Sequence, residues 1–528
     1  MHIVRSALGP ALLAGTLVAA GAADEQDHQA HHHGQPEKLG TVRFPTSCAP
    51  AVQAPFARAV ALLHSFWYDE AEKAFGEVSA ADPSCAMAQW GVAMSLYHPI
   101  WAPPSPAELK RGQEAVAKAR AAGAPTERER DYVAAIEAYF RDADTADHRT
   151  RALAYEKAME RVSARYPDDR EAAIFYSLAL LGTAPPSDKT YANQKKAGAI
   201  LNRVLPAQPD HPGVAHYLIH SFDYPELAEL ALPAARSYSR IAESSPHAQH
   251  MPSHIFVRLG LWDDSIRANE GSAAAARAHV KKTQPGAASF DELHAVDYLA
   301  YSFLQQGRDG EARRMLDRVR SVKRLDNPNF AAAYALAAVP ARYALERGRW
   351  AEAAVLEVAP AWFPWAQFPY AEAITHFARA VGAARSGDAA GARQSVARLD
   401  ALHQAAVDAK IGYWPAQIEI QRRAAAGWLA HAEGRNEDAL RLLKEAVDLE
   451  AATDKHPVTP GPVVPARELH ADLLMELGRP AEALAEYEAS LKIAPNRRYA
   501  LAGATRAADA AGQTEKARAL KASLKGGS

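Results

Sequence analysis

The 528-residue chain has little of what several function classes require. Its 60 Lys and Arg residues are balanced by 62 Asp and Glu residues, so the basic excess that nucleic-acid binding needs is missing. The sequence has no dinucleotide-binding, P-loop or nucleophile-elbow glycine pattern and no CxxC or CxxCH motif. Beyond the N-terminus no apolar run could span a bilayer. We therefore expect a chain that binds no nucleic acid and is not embedded in a membrane.

The N-terminus has the pattern of a secretory signal peptide. Arg5 supplies the positive start, residues 7–20 are apolar, and Ala20-Gly21-Ala22 has the small residues of a cleavage site. A membrane anchor is the alternative, but the apolar run is too short for one. We therefore expect residues 1–22 to be removed and the protein to be periplasmic or secreted.

Cysteine is nearly absent, since Cys48 and Cys85 are the only two. In an exported chain an even pair favours a disulfide. This disulfide would tie the segment before the first helix to the start of a later helix. Two separate structural thiols are the alternative.

Internal repeats dominate the second half of the chain. Seven glycines, spaced 34 to 47 residues apart, are each followed five positions later by a small residue. Antiparallel helix pairs need a glycine where the first helix ends and a small residue where the second packs closely on it. The pairs are Gly260 and Ser265, Gly307 and Ala312, Gly348 and Ala353, Gly387 and Ala392, Gly434 and Ala439, Gly478 and Ala483, and Gly512 and Ala517.

These positions, together with Tyr487 and Pro495, resemble the tetratricopeptide repeat over residues 250–523. The resemblance implies an all-α fold, an α-solenoid of tetratricopeptide-like helix-turn-helix repeats whose groove can bind a peptide or protein partner. Spacings above 34 imply lengthened helices or loops. The predicted segments after the signal peptide are a disordered His-rich tail, irregular N-terminal helical repeats, tetratricopeptide-like repeats and a flexible C-terminus, at residues 23–40, 41–245, 246–523 and 524–528.

Three further strings resemble a group of large exported bacterial tetratricopeptide-repeat proteins. They run over residues 63–68, 90–101 and 246–262, the last reading PHAQHMPSHIFVRLGLW. This resemblance implies architecture and no mechanism. It draws attention to His64 and His98, which can either face a central site or simply cap the helices that they end.

Histidine is concentrated in the middle of the chain. His216 and His220 are four residues apart in an apolar helical stretch, so both rings leave one helix face, and His250 and His254 repeat this spacing. His294 is expected on the first helix of the following repeat. With His247, these residues predict a groove-lining site for a transition metal, copper or zinc.

Two acidic and two phenolic residues accompany this histidine cluster. Asp223 or Asp297 can serve as a further ligand or as an acceptor behind one. Tyr217 and Tyr298 are the candidates for a catalytic version of the site. The alternatives are histidines that only form buried hydrogen bonds, or a polar peptide-binding groove.

Two other patterns have a functional and a plain interpretation. His28 and His31 to His33 can bind copper or nickel weakly, or belong to a solvated linker. Five tryptophans between residues 350 and 428 can form an aromatic wall for a ligand, or cover a loop between repeats: Trp350, Trp362, Trp365, Trp414 and Trp428.

The sequence thus predicts an exported helical-repeat protein whose histidine cluster binds copper or zinc together with a partner or small ligand. A metal-free scaffold for a peptide or protein partner is the first alternative, and a metal-dependent enzyme is the second. The oligomeric state and the question of catalysis stay open at this stage.

Overall fold

The structure is a computed structural model that describes residues 37–526. The described residues form helices and loops without a β-strand, and one isolated bridge pairs Ala288 with Leu325. From Lys38 onwards the chain forms one compact unit. The all-α solenoid class is confirmed. The predicted signal peptide and the tail histidines lie outside the described residues.

The first half of the solenoid contains twelve helices, and four of them matter for the histidine cluster. Helices α9, α11 and α12 supply five of its histidines, while α1 packs behind it. The bounds are α1 Gln53–His64, α2 Tyr68–Ala81, α3 Ala86–Tyr97, α4 Pro106–Ala122, α5 Glu127–Phe140, α6 His148–Arg165, α7 Arg170–Gly182, α8 Ala192–Val204, α9 Pro212–Phe222, α10 Ala228–Ile241, α11 Pro246–His250 and α12 Pro252–Arg258.

The second half begins with a long helix, α13. The bounds are α13 Trp262–Thr283, α14 Phe290–Gln305, α15 Asp309–Arg320, α16 Phe330–Leu345, α17 Trp350–Ala354, α18 Pro369–Arg385, α19 Ala389–Asp408, α20 Trp414–Ala432, α21 Asn436–Ala452, α22 Ala466–Glu476, α23 Pro480–Ile493, α24 Arg498–Ala510 and α25 Thr514–Gly526. Short 3-10 turns occur at Pro50–Val52, Leu205–Ala207 and Trp365–Gln367.

The glycine pattern builds each helix pair as expected. All seven repeat glycines have φ between 61° and 84°, the left-handed region that residues with a side chain seldom adopt. A new helix begins two residues after each of them. The small residue five positions on is at most 3% exposed, because the two helices of the pair approach closely there.

Each helix packs on the next one along the chain, and the first helices of successive pairs also pack on each other, as α14 does on α16 and α18 on α20. This pattern is that of a solenoid. Two large apolar clusters follow the chain, one up to Ala268 and one from Ile266 to Leu473, and a smaller cluster fills the C-terminal repeats. None of the described helices is both long and apolar enough to cross a membrane.

A loop between α21 and α22, residues 453–465, folds back over the first helices of earlier repeats. We call it the capping loop. Arg342 donates hydrogen bonds to the carbonyl oxygens of Gly461, at 2.7 Å, and Pro462, at 2.9 Å. Tyr298 donates another to the carbonyl oxygen of Pro457, at 3.1 Å. The capping loop therefore lies against α14 and α16, two of the first helices that the sequence predicts to line the groove.

The structure differs from the sequence interpretation at both ends of the described region. Leu39 is buried and the Thr41 amide donates to the Asp210 carbonyl oxygen at 3.0 Å, so residues 38–40 lie on the helical body because an apolar side chain anchors them. At the other end α25 continues to Gly526, since no helix-breaking residue precedes that glycine.

Cys48 and Cys85 form a disulfide, as predicted. The bond ties the segment ahead of α1 to Cys85, the residue that caps the N-terminus of α3. The Asp82 carboxylate supports the same junction by accepting a hydrogen bond from the Ala49 amide at 2.8 Å.

Removing this disulfide should destabilise the chain. It closes a loop of 37 residues, for which chain entropy gives about 3–4 kcal/mol. We expect the Cys48→Ala, Cys85→Ala double variant to unfold at lower urea concentration than the parent, as followed by tryptophan fluorescence. Reductant should shift the parent to the same midpoint and leave the variant unchanged. Equal midpoints for oxidised parent and variant would contradict this expectation.

Candidate metal centre

The structure brings the six predicted histidines together as two adjacent groups of three. The first triad contains His216, His220 and His247, and the second contains His250, His254 and His294. Within each triad one ring nitrogen of every histidine lies within 4.8 Å of the others. All six side chains are buried. Each triad thus contains one i,i+4 pair of histidines, and a neighbouring helix supplies its third histidine.

Local sequence explains how the helices present these rings. Pro212, Pro246 and Pro252 stand in the first turns of α9, α11 and α12, where a proline needs no amide hydrogen bond. Met251 joins α11 to α12 in a right-handed helical conformation. His250 and His254 therefore keep helical spacing across the junction although each lies in a different short helix.

The second triad contains a contact between two nitrogen lone pairs. His250 Nδ1 is 2.6 Å from Asn269 Oδ1, and His254 Nδ1 is 2.9 Å from Asp223 Oδ2. The Asp223 oxygen can only accept, because its carboxyl group is ionised. The Asn269 oxygen also accepts, because the amide nitrogen of the same side chain is the atom that donates to the Ser265 carbonyl oxygen, at 2.8 Å. Each Nδ1 therefore carries the proton. The two Nε2 atoms, 3.1 Å apart, then face each other without a proton between them when both rings are neutral.

Burial keeps these rings neutral at pH 7. It lowers the pKa of His250 well below 6.5, and the neighbouring imidazoles of His294 and His254 lower it further. Burial also lowers the pKa of His254, although the hydrogen bond that its Nδ1 donates to Asp223 opposes this effect. Neutral rings offer their Nε2 lone pairs to a cation.

The first triad also contains a pair of facing Nε2 atoms, and the proton is fixed on the opposite nitrogen for one of its rings, His216. His216 Nδ1 donates to the His64 carbonyl oxygen at 2.7 Å, which leaves its Nε2 as an acceptor, and His220 Nε2 lies 3.1 Å from it. Burial lowers the pKa of His216 to about 3. Among the described residues, Nε2 of His247 and Nε2 of His294 are buried without a hydrogen-bond partner.

The spacing of these nitrogens suits a metal ion. Ligands about 2.0–2.1 Å from an ion, at angles between those of square and tetrahedral coordination, lie about 2.9–3.4 Å apart. Both pairs of Nε2 atoms, at 3.1 Å, fall in this range. Histidines that bind metals commonly donate their other ring N–H to a carbonyl or carboxylate oxygen, as three of these do.

Asp223 connects the second triad to the rest of the molecule. Besides His254, its carboxylate accepts hydrogen bonds from Arg258 Nε and from Lys455 Nζ in the capping loop, both at 2.9 Å. Burial alone would raise the pKa of Asp223, but the charges of Lys455 and Arg258 hold it well below the usual range. Asp223 is therefore an ionised acceptor behind His254, one of the two roles foreseen for it.

Aromatic side chains close the space around the triads. The Phe66 ring lies 4.4 Å from the His216 ring and 5.7 Å from the His247 ring, between centroids. The Trp101 ring lies 5.4 Å from the His247 ring and 6.0 Å from the His294 ring. The sequence predicts a groove-lining cluster, and in the structure these rings and the capping loop bury all six histidines.

Other predicted residues lie at the edge of the cluster or away from it. Asp297 is not behind His294 but accepts from Arg342 Nε at 3.1 Å. The Tyr298 ring lies 4.5 Å from the His250 ring, and its hydroxyl is 3.5 Å from His254 Nε2. His98 packs on Tyr68 at 4.6 Å, outside the triads.

A second buried cluster, which we call the Glu171 cluster, lies behind the first triad. Glu171 accepts hydrogen bonds from His64 Nε2 at 3.0 Å and from His211 Nε2 at 2.8 Å. Tyr217 contributes its hydroxyl 2.9 Å from His64 Nδ1. The sequence pattern indicates His64 and Tyr217 but not Glu171 or His211, because no local spacing links residues such as His64 and Glu171, which are 107 positions apart.

A cavity of ≈ 830 Å³ adjoins the capping loop and the Asp223 network. Its size is typical of pockets for small organic ligands. Its walls include aromatic rings and two of the cations around Asp223: Tyr301, Tyr334, Tyr413, Trp414, Arg258 and Lys455.

The Trp-rich region divides between packing and the cavity. Trp414 faces the cavity, stacked on Tyr370 at 3.9 Å and on His456 at 5.0 Å. Trp350 and Trp428 instead enclose the Arg385 guanidinium at 4.0 and 4.1 Å. Trp350 and Trp428 therefore have a packing role, whereas Trp414 forms part of an aromatic wall of the cavity.

Residues 464–497 match the family model of the tetratricopeptide repeat. This match supports the tetratricopeptide-repeat superfamily. It covers the pair α22 and α23, including the repeat glycine Gly478 and the buried Tyr487. No curated protein matches the chain in sequence.

Two solved structures match most of this chain at low sequence identity and low TM-score. Human IFIT1, in a dimer with m7Gppp-AAAA, is 11% identical over 83% of this chain and 90% of its own, with a TM-score of 0.34. The APC/C hetero-tetramer Cut9-Hcn1 gives 13% identity over 86% and 83%, with a TM-score of 0.32. What those proteins bind is not transferred to this chain.

Replacing Glu171 should cost stability in a pH-dependent way. Burial alone would raise the pKa of Glu171, but His211 and His64 outweigh it and lower the pKa to about 2. A carboxyl whose pKa is lower in the folded chain stabilises it above pH 4.5, the ordinary value, and loses this effect as pH falls towards 2. We expect Glu171→Gln to cost about 1–3 kcal/mol at pH 7.

The measurement is urea unfolding of both proteins between pH 7 and pH 3. The difference between them should shrink below pH 4.5, the ordinary value for the carboxyl. The exposed Glu77 provides the matched control, since Glu77→Gln should leave stability unchanged. A constant difference at every pH would contradict the assigned role of the Glu171 charge.

Proposed function

We propose that this protein binds a transition metal, copper or zinc, through the two histidine triads. The observation that carries the proposal is the pair of Nε2 atoms of His250 and His254, 3.1 Å apart, each with its proton fixed on the opposite nitrogen. Two lone pairs at this distance repel each other unless they share a cation. The low pKa of both rings disfavours a proton in that role.

The donor set supports copper or zinc. Six imidazole nitrogens without a thiolate suit these ions, whereas magnesium and calcium prefer oxygen ligands. The Asp223 carboxylate is taken by His254, Arg258 and Lys455, so it orients a ligand and does not add one. Three imidazoles at each triad would leave a coordination position for a further ligand.

The cavity of ≈ 830 Å³ supports a second element of the proposal, binding of a small organic ligand near the metal. Lys455 both lines this cavity and bonds Asp223, so the cavity wall and the second triad share one charged network. We treat binding as the primary function. If the metal also catalyses a reaction, Tyr298 would be the candidate catalytic residue, because its ring lies beside His250 and His254.

A second candidate function is a scaffold for a protein partner. Tetratricopeptide-type solenoids commonly bind peptides and proteins through their concave surfaces. In this chain the capping loop occupies part of that surface, so the partner would need the outer helices or displacement of the loop.

We further propose that the protein is exported to the periplasm or secreted. The signal-peptide pattern of residues 1–22 and the Cys48–Cys85 disulfide support this location, because disulfides persist in oxidising compartments. Expression with the native N-terminus should give a chain that begins at Ala23 in the periplasmic fraction, as read by N-terminal sequencing. A chain that retains Met1 and stays in the cytoplasm would contradict this proposal.

Metal content tests the main proposal. We expect protein purified without an affinity tag to hold copper or zinc, measured by mass spectrometry of the elements, and to keep it when the tail histidines are replaced with alanine. His254→Gln should lower the metal content by at least half, because it removes one ligand and the Asp223 bond.

The matched control is His431→Gln, which changes a histidine bonded to Asn436 and Glu476 far along the chain. Its metal content should equal that of the parent. Unchanged metal in His254→Gln would remove the triads as the site. No metal in any protein, even after incubation with copper or zinc, would favour the scaffold function.

A further inference from the structure

The two triads are close enough to act as one centre. Rings of opposite triads approach to 6.2 Å between the centroids of His220 and His254, and to 6.1 Å between His247 and His250. Within the triads the corresponding distances run from 4.1 Å, between His250 and His294, to 5.1 Å, between His216 and His247. Rings at 6 Å are in direct contact range.

Each triad is nonetheless complete in itself. Each contains one i,i+4 pair with facing Nε2 atoms and a third histidine whose Nε2 has no hydrogen-bond partner among the described residues. A single ion could satisfy only one of these sets. The pairs therefore indicate two ions and not one.

We propose that the two triads form a dinuclear centre that holds two copper(I) ions, one in each triad. This inference rests on the proposed function, metal binding at the histidines, and names the ion, its number and its oxidation state.

The charge around the triads favours copper(I) over a pair of divalent ions. All six ligands are neutral, and the Asp223 carboxylate, which accepts from His254, is already balanced by Arg258 and Lys455. The Glu171 carboxylate is bonded by His64 and His211. The free energy of burying an ion grows with the square of its charge, so each divalent ion costs about four times as much as a monovalent one.

Ligand number points the same way. Three imidazoles suffice for copper(I), which accepts low coordination numbers, whereas a zinc ion held by three protein ligands needs a water or another ligand in its fourth position. The Phe66 and Trp101 rings against the triads leave an apolar boundary where a fourth protein ligand would otherwise stand. A centre of this kind can lose one electron from each copper.

Anaerobic titration with copper(I), against a chromophoric copper(I) chelator, tests the proposal. The protein is the full chain with its tail histidines replaced with alanine, so that the tail adds no copper. We expect two copper ions per chain that compete with the chelator. We expect one in His294→Gln and one in His247→Gln, since each variant removes a ligand from one triad only.

Control and second readout use the same preparation. His431→Gln should still bind two ions, because that histidine lies outside the triads. Two equivalents of ferricyanide should take one electron from each copper(I). The resulting copper(II) pair should give an EPR spectrum broadened or lost through coupling between the two ions.

The outcomes separate the two levels of inference. One copper per chain, with a resolved mononuclear EPR spectrum after oxidation, would overturn the dinuclear centre and leave metal binding intact. No copper that withstands the chelator, with zinc equally excluded, would overturn both. Should a histidine variant fail to fold, the stoichiometry and the EPR spectrum of the parent still decide the question.

Discussion

The arrangement around the Asp223 carboxylate holds three separate parts of the molecule in place. It accepts hydrogen bonds from His254 on α12, from Arg258 at the end of α12 and from Lys455 in the capping loop, each at 2.9 Å. Asp223 itself follows α9, which carries two of the three histidines of the first triad. Breaking one member of a buried charged network costs about 3–5 kcal/mol. One buried carboxylate thus fixes the His254 ring, the capping loop and one wall of the cavity together.

A buried polar centre is unusual for a solenoid, because a stack of helix pairs normally leaves its concave face open. Here the face is closed by a segment inserted between the repeats that begin at Gly434 and Gly478. Arg342, on α16, reaches two carbonyl oxygens of this segment, so the closing loop is bound to the first helices and does not lie loosely over them. Residues 453–465 lie between those two glycines, so the loop lengthens their spacing beyond the 34 residues of the shortest repeat.

The sequence predicted what depends on local spacing. The glycine and small-residue pattern located every helix pair from Gly260 onwards, because the turn and the close contact between two adjacent helices require these two residue types. The i,i+4 histidine pairs placed their rings on common faces for the same reason. Glu171 and the capping loop escaped prediction, since their partners lie 40 to 232 positions away and only the packed solenoid brings them together. For the same reason the sequence did not indicate that the histidines of the groove would be buried.

The orientation of the second triad is fixed from behind. Turning His254 would break its bond to Asp223, and turning His250 would break its bond to Asn269, whose amide is itself held by the Ser265 carbonyl oxygen. If either ring turned away from the other, a buried acceptor would lose its hydrogen bond, at a cost of about 1–3 kcal/mol. Under the proposed function, a cation between the two Nε2 atoms would relieve the repulsion of their lone pairs without turning either ring. The ligands would then be in place before the ion arrives, which is what a selective metal site requires.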